Sequence, residues 1–141
     1  MTTKDYLNQI RDMRQKIKRT QENIDAKREL LTSISVKSDG ERVQSSSDPD
    51  KMAMMVADIL DREAELQVFI SNYIQKEREI AYQIDSLEDW HSRELLQWRY
   101  VQCETFEKIA GDRMNITFRH IMRLHKIALR DFENKYGEFY R

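Results

Sequence analysis

Residues that turn or break a chain are scarce in this sequence of 141 residues, which contains three glycines and one proline. An all-β sandwich or barrel needs turn residues about every 8–12 positions, so this scarcity excludes that class and predicts long helices. The single cysteine, Cys103, cannot form an internal disulfide or a thiolate cage for a metal. We therefore expect an all-α protein in which Cys103 is a structural thiol.

Long hydrophobic runs and an overall excess of one charge sign are also missing. No run approaches the roughly 18 apolar residues that span a bilayer, and the first residues, MTTKDYLNQIRD, contain no signal-peptide core, which predicts a cytoplasmic protein. The 24 basic and 25 acidic side chains nearly cancel, which excludes a uniformly basic DNA-coating protein. Residues 91–141 nevertheless hold 10 basic and 7 acidic side chains, so positive charge is concentrated in the C-terminal third.

Two long segments carry apolar residues at heptad spacing, which is typical of helices that pair along their length. The first includes Ile10, Ile17, Ile24 and Leu31, and the second includes Met52, Ile59, Leu66, Tyr73, Ile80 and Leu87. Between them, residues 35–50 hold Gly40, a serine triplet and the only proline, which predicts a loop at about 35–49. Asp48 supplies a cap and Pro49 a first helical residue, so the second helix should begin there.

The two segments match in length, since residues 4–34 and 49–84 would span roughly 45 and 50 Å as helices. We therefore predict that residues 1–85 form a long antiparallel helical hairpin, a coiled coil that serves as an oligomerisation arm. Met55, Phe69 and Ile74 widen the apolar stripe of the second helix beyond what one partner helix covers. This width predicts a homo-oligomer, with a homodimer favoured.

Residues 86–141 are predicted to form a second domain of three short helices, at roughly 87–101, 105–112 and 118–135. Ser86 and Asp89 have capping-box-like spacing, and Thr105 and Thr117 can cap the second and third helices. Ile116 lies in the intervening turn, where it can pack inward between those two helices. Together these features predict a helix-turn-helix domain.

The last of these helices is strongly basic, which favours double-stranded DNA as the partner. Residues 113–130 contain five basic and no acidic side chains. We expect Arg119, His120 and Arg123 to read bases, and Arg113, Lys126 and Arg130 to anchor phosphates. The full set of predicted DNA-binding residues is Arg113, Thr117, Phe118, Arg119, His120, Met122, Arg123, Lys126 and Arg130.

The stretch KIAGDRMNITFRHIMRLHKIAL resembles region 4 of sigma-70-type factors, with the likeness covering roughly residues 86–135. Met114-Asn115-Ile116-Thr117 follows that pattern, whereas Gly111-Asp112-Arg113 holds one residue more than the usual sigma spacing. With its N-terminal hairpin, the chain is similar to phage-encoded transcriptional regulators of the RinA and ArpU type from Gram-positive bacteria. That resemblance implies sequence-specific regulation of a phage or prophage operon.

Other functions fit the sequence less well. A small terminase-like DNA-packaging protein and a protein that binds RNA polymerase or a sigma factor without DNA remain alternatives. No nucleophile set or phosphate loop accompanies Glu104 and Glu107, and His120 and His125 diverge on a helix, so we expect no enzyme, metal or cofactor. The basic cluster at Arg11–Arg19 is diluted by acidic residues and is interpreted as coiled-coil surface, with contact to flanking DNA phosphate as the alternative.

Overall fold

The computed structural model describes residues 1–40 and 49–141, and over those ranges it contains helices and no strand, which confirms the all-α class. The helices are α1 (Thr3–Leu7), α2 (Gln9–Gly40), α3 (Pro49–Asp85), α4 (Trp90–Leu96), α5 (Phe106–Lys108) and α6 (Phe118–Tyr136). Helix α4 continues as a π-helical turn over Gln97–Val101, α5 continues as another over Ile109–Arg113, and a 3-10 turn over Gly137–Phe139 follows α6.

Most predicted helix limits agree with the structure to within a few residues. Helix α3 begins at Pro49 as predicted, whereas α2 continues to Gly40, beyond the predicted start of the loop. The rest of that loop, with its predicted cap Asp48, lies outside the described residues. The expected cap at Ser86 is wrong, because α4 is capped by Asp89, which accepts a hydrogen bond from the Ser92 amide.

Residues Arg14–Asn72 form one compact unit, in which α2 and α3 pair antiparallel. Lys16 Nζ lies 4.0 Å from the centroid of the Phe69 ring, and Lys27 forms an ion pair with Asp58. As the residue number rises along α2 it falls along α3, which confirms the predicted hairpin. Its buried residues are Ile24, Ile59 and Leu66, with Ile17, Leu31 and Ile70 partly buried beside them.

Met55 and Phe69 were expected to widen the apolar stripe of α3 toward another chain, and the structure places them differently. Both are partly buried, and Phe69 lies beneath Lys16 of α2, on the side of α3 that packs within the hairpin. Ile74, by contrast, is 47% exposed. Of the three expected side chains, Ile74 is therefore the exposed one.

A second compact unit joins both ends of the chain, since it comprises Met1–Met13 and Tyr73–Arg141. The Tyr6 hydroxyl donates to Gln83 Oε1 at 2.9 Å, and the Tyr6 ring stacks on Tyr140 at 4.4 Å between centroids. Thr3 and Tyr140 share a hydrogen bond of 2.8 Å between their hydroxyls. The domain boundary predicted at residue 85 therefore falls inside this unit, which includes α1 and the end of α3.

Helix α6 packs against α4 and buries one side along most of its length. The buried residues on that side are Ile121, His125, Ala128 and Phe132. The same core includes Leu95 and Leu96 of α4, Ile109 and Ala110 beside α5, and buried residues of α1, α2 and α3, such as Leu7, Ile10, Ile80 and Ile84. This packing fixes which side of α6 faces solvent.

Candidate nucleic-acid interface

The turn between α5 and α6 is defined by a hydrogen bond at each end. After α5, the Met114 amide donates to Ile109 O at 2.9 Å, five residues back, so the last turn is π-helical. Asn115 then adopts a left-handed conformation with φ of 51°, which asparagine tolerates better than most residues. The Thr117 side chain begins α6 by accepting a hydrogen bond from the His120 amide at 3.1 Å.

A π-helical turn holds one residue more than the equivalent α-helical turn. The segment Ile109–Arg113 forms such a turn and includes Gly111, Asp112 and Arg113. The helix is locally wider there. Ile109 and Ala110 consequently stay buried, and Ile116 packs against the same core as predicted.

The same construction occurs twelve residues earlier, at the end of α4, and the sequence reasoning missed it. There the Gln102 amide donates to Gln97 O at 3.0 Å, and Cys103 is left-handed with φ of 58°. Thr105 then caps α5 as predicted, by accepting from the Lys108 amide at 3.2 Å. The two segments have related sequences, Cys-Glu-Thr-Phe at 103–106 and Asn-Ile-Thr-Phe at 115–118, both with Thr-Phe at the start of a helix. This repeat is the sequence signal that predicts a second turn of the same kind.

Four basic side chains project from the solvent side of α6 along one line, which we call the basic stripe: Arg119, Arg123, Lys126 and Arg130. Successive steps of four, three and four residues keep them within about 60° of one another around the helix axis. The centre of the stripe lies opposite the buried side. All four are exposed, and within the described ranges none has a hydrogen bond or ion pair.

The other basic side chains of residues 86–141 have partners inside the protein. Arg93, Arg99 and Lys135 donate to backbone carbonyls, whereas Lys108, Arg113 and Arg141 pair with carboxylates. The two acidic residues nearest the end of the stripe are also engaged, because Glu133 binds Arg141 and Asp131 accepts from Ser92. The basic stripe is therefore the positive charge of this region that the fold leaves uncompensated.

Arg113 was predicted to anchor phosphate, but the structure places it in a different role. Its Nε and Nη2 donate to the two carboxylate oxygens of Glu104 at 3.1 and 2.7 Å, and its guanidinium lies 4.0 Å from the Trp98 ring centroid. Hydrogen bonding to Arg113 lowers the pKa of Glu104, and the same bond raises the pKa of Arg113. Arg113 thus joins the end of α5 to the turn that precedes it.

The remaining predicted site residues lie around the first turns of α6. Phe118 is 49% exposed, His120 is partly exposed, and Met122 is half-buried with contacts to the core. Thr117, Arg119, His120 and Arg123 line one open depression of 460 Å³ at the start of the helix. The structure therefore brings these four residues together, whereas Met122 contributes mainly to packing.

His125, although on the same helix, points into the core. Its Nε2 lies 2.7 Å from the Tyr100 hydroxyl, and its ring meets Phe106 edge-on. Burial lowers the pKa of His125 to about 4, and it raises the pKa of Tyr100 to about 12, so both side chains are neutral at pH 7. Across the part of the chain that the structure describes, no three His, Cys, Asp or Glu side chains converge on a potential metal position.

Residues 34–133 match a family described as "Protein of unknown function (DUF1492)", and the chain belongs to that family. No curated protein and no solved structure matches the chain. The matched region includes α3, α4, α5 and the whole basic stripe of α6. The family description assigns no activity to these residues.

Proposed function

We propose that this protein is a sequence-specific DNA-binding regulator of transcription and that α6 is its recognition helix. The observation that carries the proposal is the basic stripe, four uncompensated cations in line on the solvent side of a capped helix. Paired basic residues would contribute little attraction for a polyanion, because their charge is already balanced. When unpaired cations of a protein bind phosphates, the counterions condensed on the nucleic acid are released. That release drives binding.

The dimensions of α6 suit the major groove of duplex DNA. The stripe spans eleven residue steps, roughly 16 Å along the helix axis, and the groove is about 12 Å wide and admits one helix. In helix-turn-helix proteins the first residues of the recognition helix contact base edges. Here those residues are Phe118, Arg119 and His120, which follow the Thr117 cap.

Roles within the site follow from position along α6. Arg119 and Arg123 can donate two hydrogen bonds to guanine, while Phe118 can contact a thymine methyl group. Lys126 and Arg130 lie farther along the helix, where side chains reach phosphates instead of bases. Arg113, being paired with Glu104, supports the turn geometry that aims α6 and is not assigned a phosphate.

The proposed biological setting comes from resemblance and not from the family description. The likeness to RinA- and ArpU-type regulators and to sigma-70 region 4 supports control of a phage or prophage operon, in the cytoplasm of a bacterial host. Over residues 1–40 and 49–141, none of the helices combines the length and the apolar character that crossing a membrane requires.

A selection from random duplex DNA, followed by fluorescence anisotropy, tests the proposal. The selected duplex should bind much more tightly than its scrambled version, and log K should fall with log salt with a slope of about −3 to −4 if the four stripe cations neutralise phosphates. Equal, weak binding to both duplexes would contradict sequence-specific regulation. Absence of any binding would contradict the DNA interface altogether.

Variants locate the binding surface. We expect Arg119→Ala and Arg123→Ala each to cost about 1–3 kcal/mol on the selected duplex and to relax its preference over scrambled DNA. Arg78→Ala is the matched control, because it removes an exposed arginine from α3 instead of α6. An equal loss in the control would assign binding to general charge and refute the recognition helix.

A further inference from the structure

Helix α3 has a second line of residues that its contacts within the hairpin leave exposed, which we call the apolar strip. It consists of Ala53, Ala57, Leu60 and Ala64, continues through the uncharged polar residues Gln67 and Ser71, and has Val56 and Val68 at its edges. Leu60 is 59% exposed, Val68 57% and Val56 42%. In a chain of which 35% of residues are charged, no member of the strip carries a charge.

The spacing of the strip is that of a coiled-coil seam. Its members follow one another by four, three, four, three and four residues, a period of 3.5. The seam that packs against α2 has the same period but lies on the other side of α3, with Ile59 and Leu66 as its buried members. The strip therefore lies on a side of α3 that α2 does not cover, at a spacing that a second helix can follow.

An open groove of 430 Å³ adjoins the middle of the strip. Leu60, Ala64 and Gln67 border it, together with Gln21 of α2, and its lining also includes Glu63 and the buried residues Ile24 and Leu66. A groove with an apolar floor beside small residues accepts an inserted aliphatic side chain, as a hole accepts a knob in a coiled coil. Nucleic acid does not suit it, because the strip offers no cation to phosphate.

Charge indicates how a second copy can fit. The exposed Lys18 and Arg19 of α2 and Asp61 and Glu65 of α3 have no ion pair within the residues that the structure describes. When the strips of two copies meet, the unpaired cations of α2 in one copy can face the unpaired carboxylates of α3 in the other. Opposite charge across an interface selects the partner and its orientation.

The strip is long enough to accommodate a second helix. It is about 27 Å long, which corresponds to about five helical turns. We propose that the apolar strip is a dimerisation surface that packs on the same strip of a second copy of this chain.

The oligomeric state of the full-length chain tests this proposal, by sedimentation velocity over a wide range of concentrations. We expect the wild type to sediment with the mass of two chains. Leu60→Glu places a charge in the centre of the strip and should give the mass of one chain. Met54→Glu is the matched control, since Met54 is 71% exposed on the same helix but off the strip, and it should remain a dimer.

Circular dichroism of the same samples separates loss of association from loss of folding. Because Leu60 is already exposed within one chain, Leu60→Glu should retain its helix content at concentrations where it is monomeric. Ala64→Arg, at a neighbouring exposed position, should reproduce the result. A monomeric wild type, or a dimer that survives both strip variants, would overturn the proposal, whichever way the DNA measurements turn out.

Discussion

The buried histidine of α6 should make the stability of this protein depend on pH in a defined window. His125 is 4% exposed, and burial is the first cause of its lowered pKa, followed by the charges of Lys4 and Arg99. In the unfolded chain the same imidazole should titrate near its ordinary value of 6.5. At intermediate pH, His125 is therefore neutral in the folded protein but binds a proton in the unfolded chain.

The sign and size of the effect follow from linkage. Between pH 6.5 and about 4 the unfolded state binds one more proton than the folded state, so the free energy of unfolding falls as pH falls. Each pH unit inside that window is worth about 1.4 kcal/mol. From pH 7.5 to pH 5 the expected loss is about 2 kcal/mol, and above pH 7 the contribution of His125 should be flat.

Urea unfolding at pH 7.5, 6.5, 5.5 and 5.0 would measure this loss, with pH values chosen to stay above carboxylate titration. The lowered pKa values of Asp58, Asp89 and Glu104 remove stability only at lower pH, as those groups become protonated in the folded protein. His125→Gln keeps a polar group beside Tyr100 but cannot titrate. Its stability should change by about 2 kcal/mol less than that of the wild type over the same range.

A second variant separates burial from hydrogen bonding as the cause. Tyr100→Phe removes the hydroxyl that lies 2.7 Å from His125 Nε2 but leaves the imidazole in the core. If burial dominates, Tyr100→Phe should keep the pH dependence of the wild type. The reasoning fails if His125→Gln has the same pH profile as the wild type, or if the wild-type profile is flat down to pH 5.

Three further predictions concern the turn and the stripe. Arg130→Ala should reduce the magnitude of the salt slope of DNA binding by about 0.9 while leaving the preference for the selected duplex unchanged, so a change in preference would remove Arg130 from the phosphate contacts. Asn115→Ala should destabilise the protein by about 1 kcal/mol in urea unfolding, because its φ of 51° is left-handed, whereas Asn115→Gly should not; equal losses would exclude backbone conformation as the cause. Glu104→Gln should lower the melting temperature and weaken DNA binding, because it removes the negative charge that pairs with Arg113. Unchanged DNA affinity in a destabilised protein would show that the ion pair acts on stability alone.

The repeated turn shows how a local signal can be present in a sequence and still be overlooked. Thr105 and Thr117 were each recognised as caps, because capping depends on a side chain and an amide three residues ahead. The π-helical turns before them were not predicted, since an extra residue in a helix is visible only through its hydrogen bonds. The left-handed Cys103 was missed for a related reason, because cysteine has no strong preference for that conformation.

Which basic residues face a partner was also only partly predictable. Helical spacing placed Arg119, Arg123, Lys126 and Arg130 on the polar side of α6, and the structure has all four exposed. The same counting included Arg113, which belongs to a different helix and meets Glu104 nine residues earlier in the chain. Charge counting cannot distinguish a paired cation from a free one when the pairing crosses a turn.

The amino-acid sequence alone determined the helices of this protein. The period of the apolar residues, the scarcity of glycine and proline, and the capping residues all act between positions that are close together in the chain. Those features predicted the all-α class, the antiparallel hairpin and the starts of α3, α5 and α6. Tertiary structure alone decided that α1 packs in the unit that contains α6, because Thr3 and Tyr140 meet across 137 positions. It also decided that Phe69, which was expected to face another chain, packs under Lys16 of α2, because that contact joins residues far apart in the sequence.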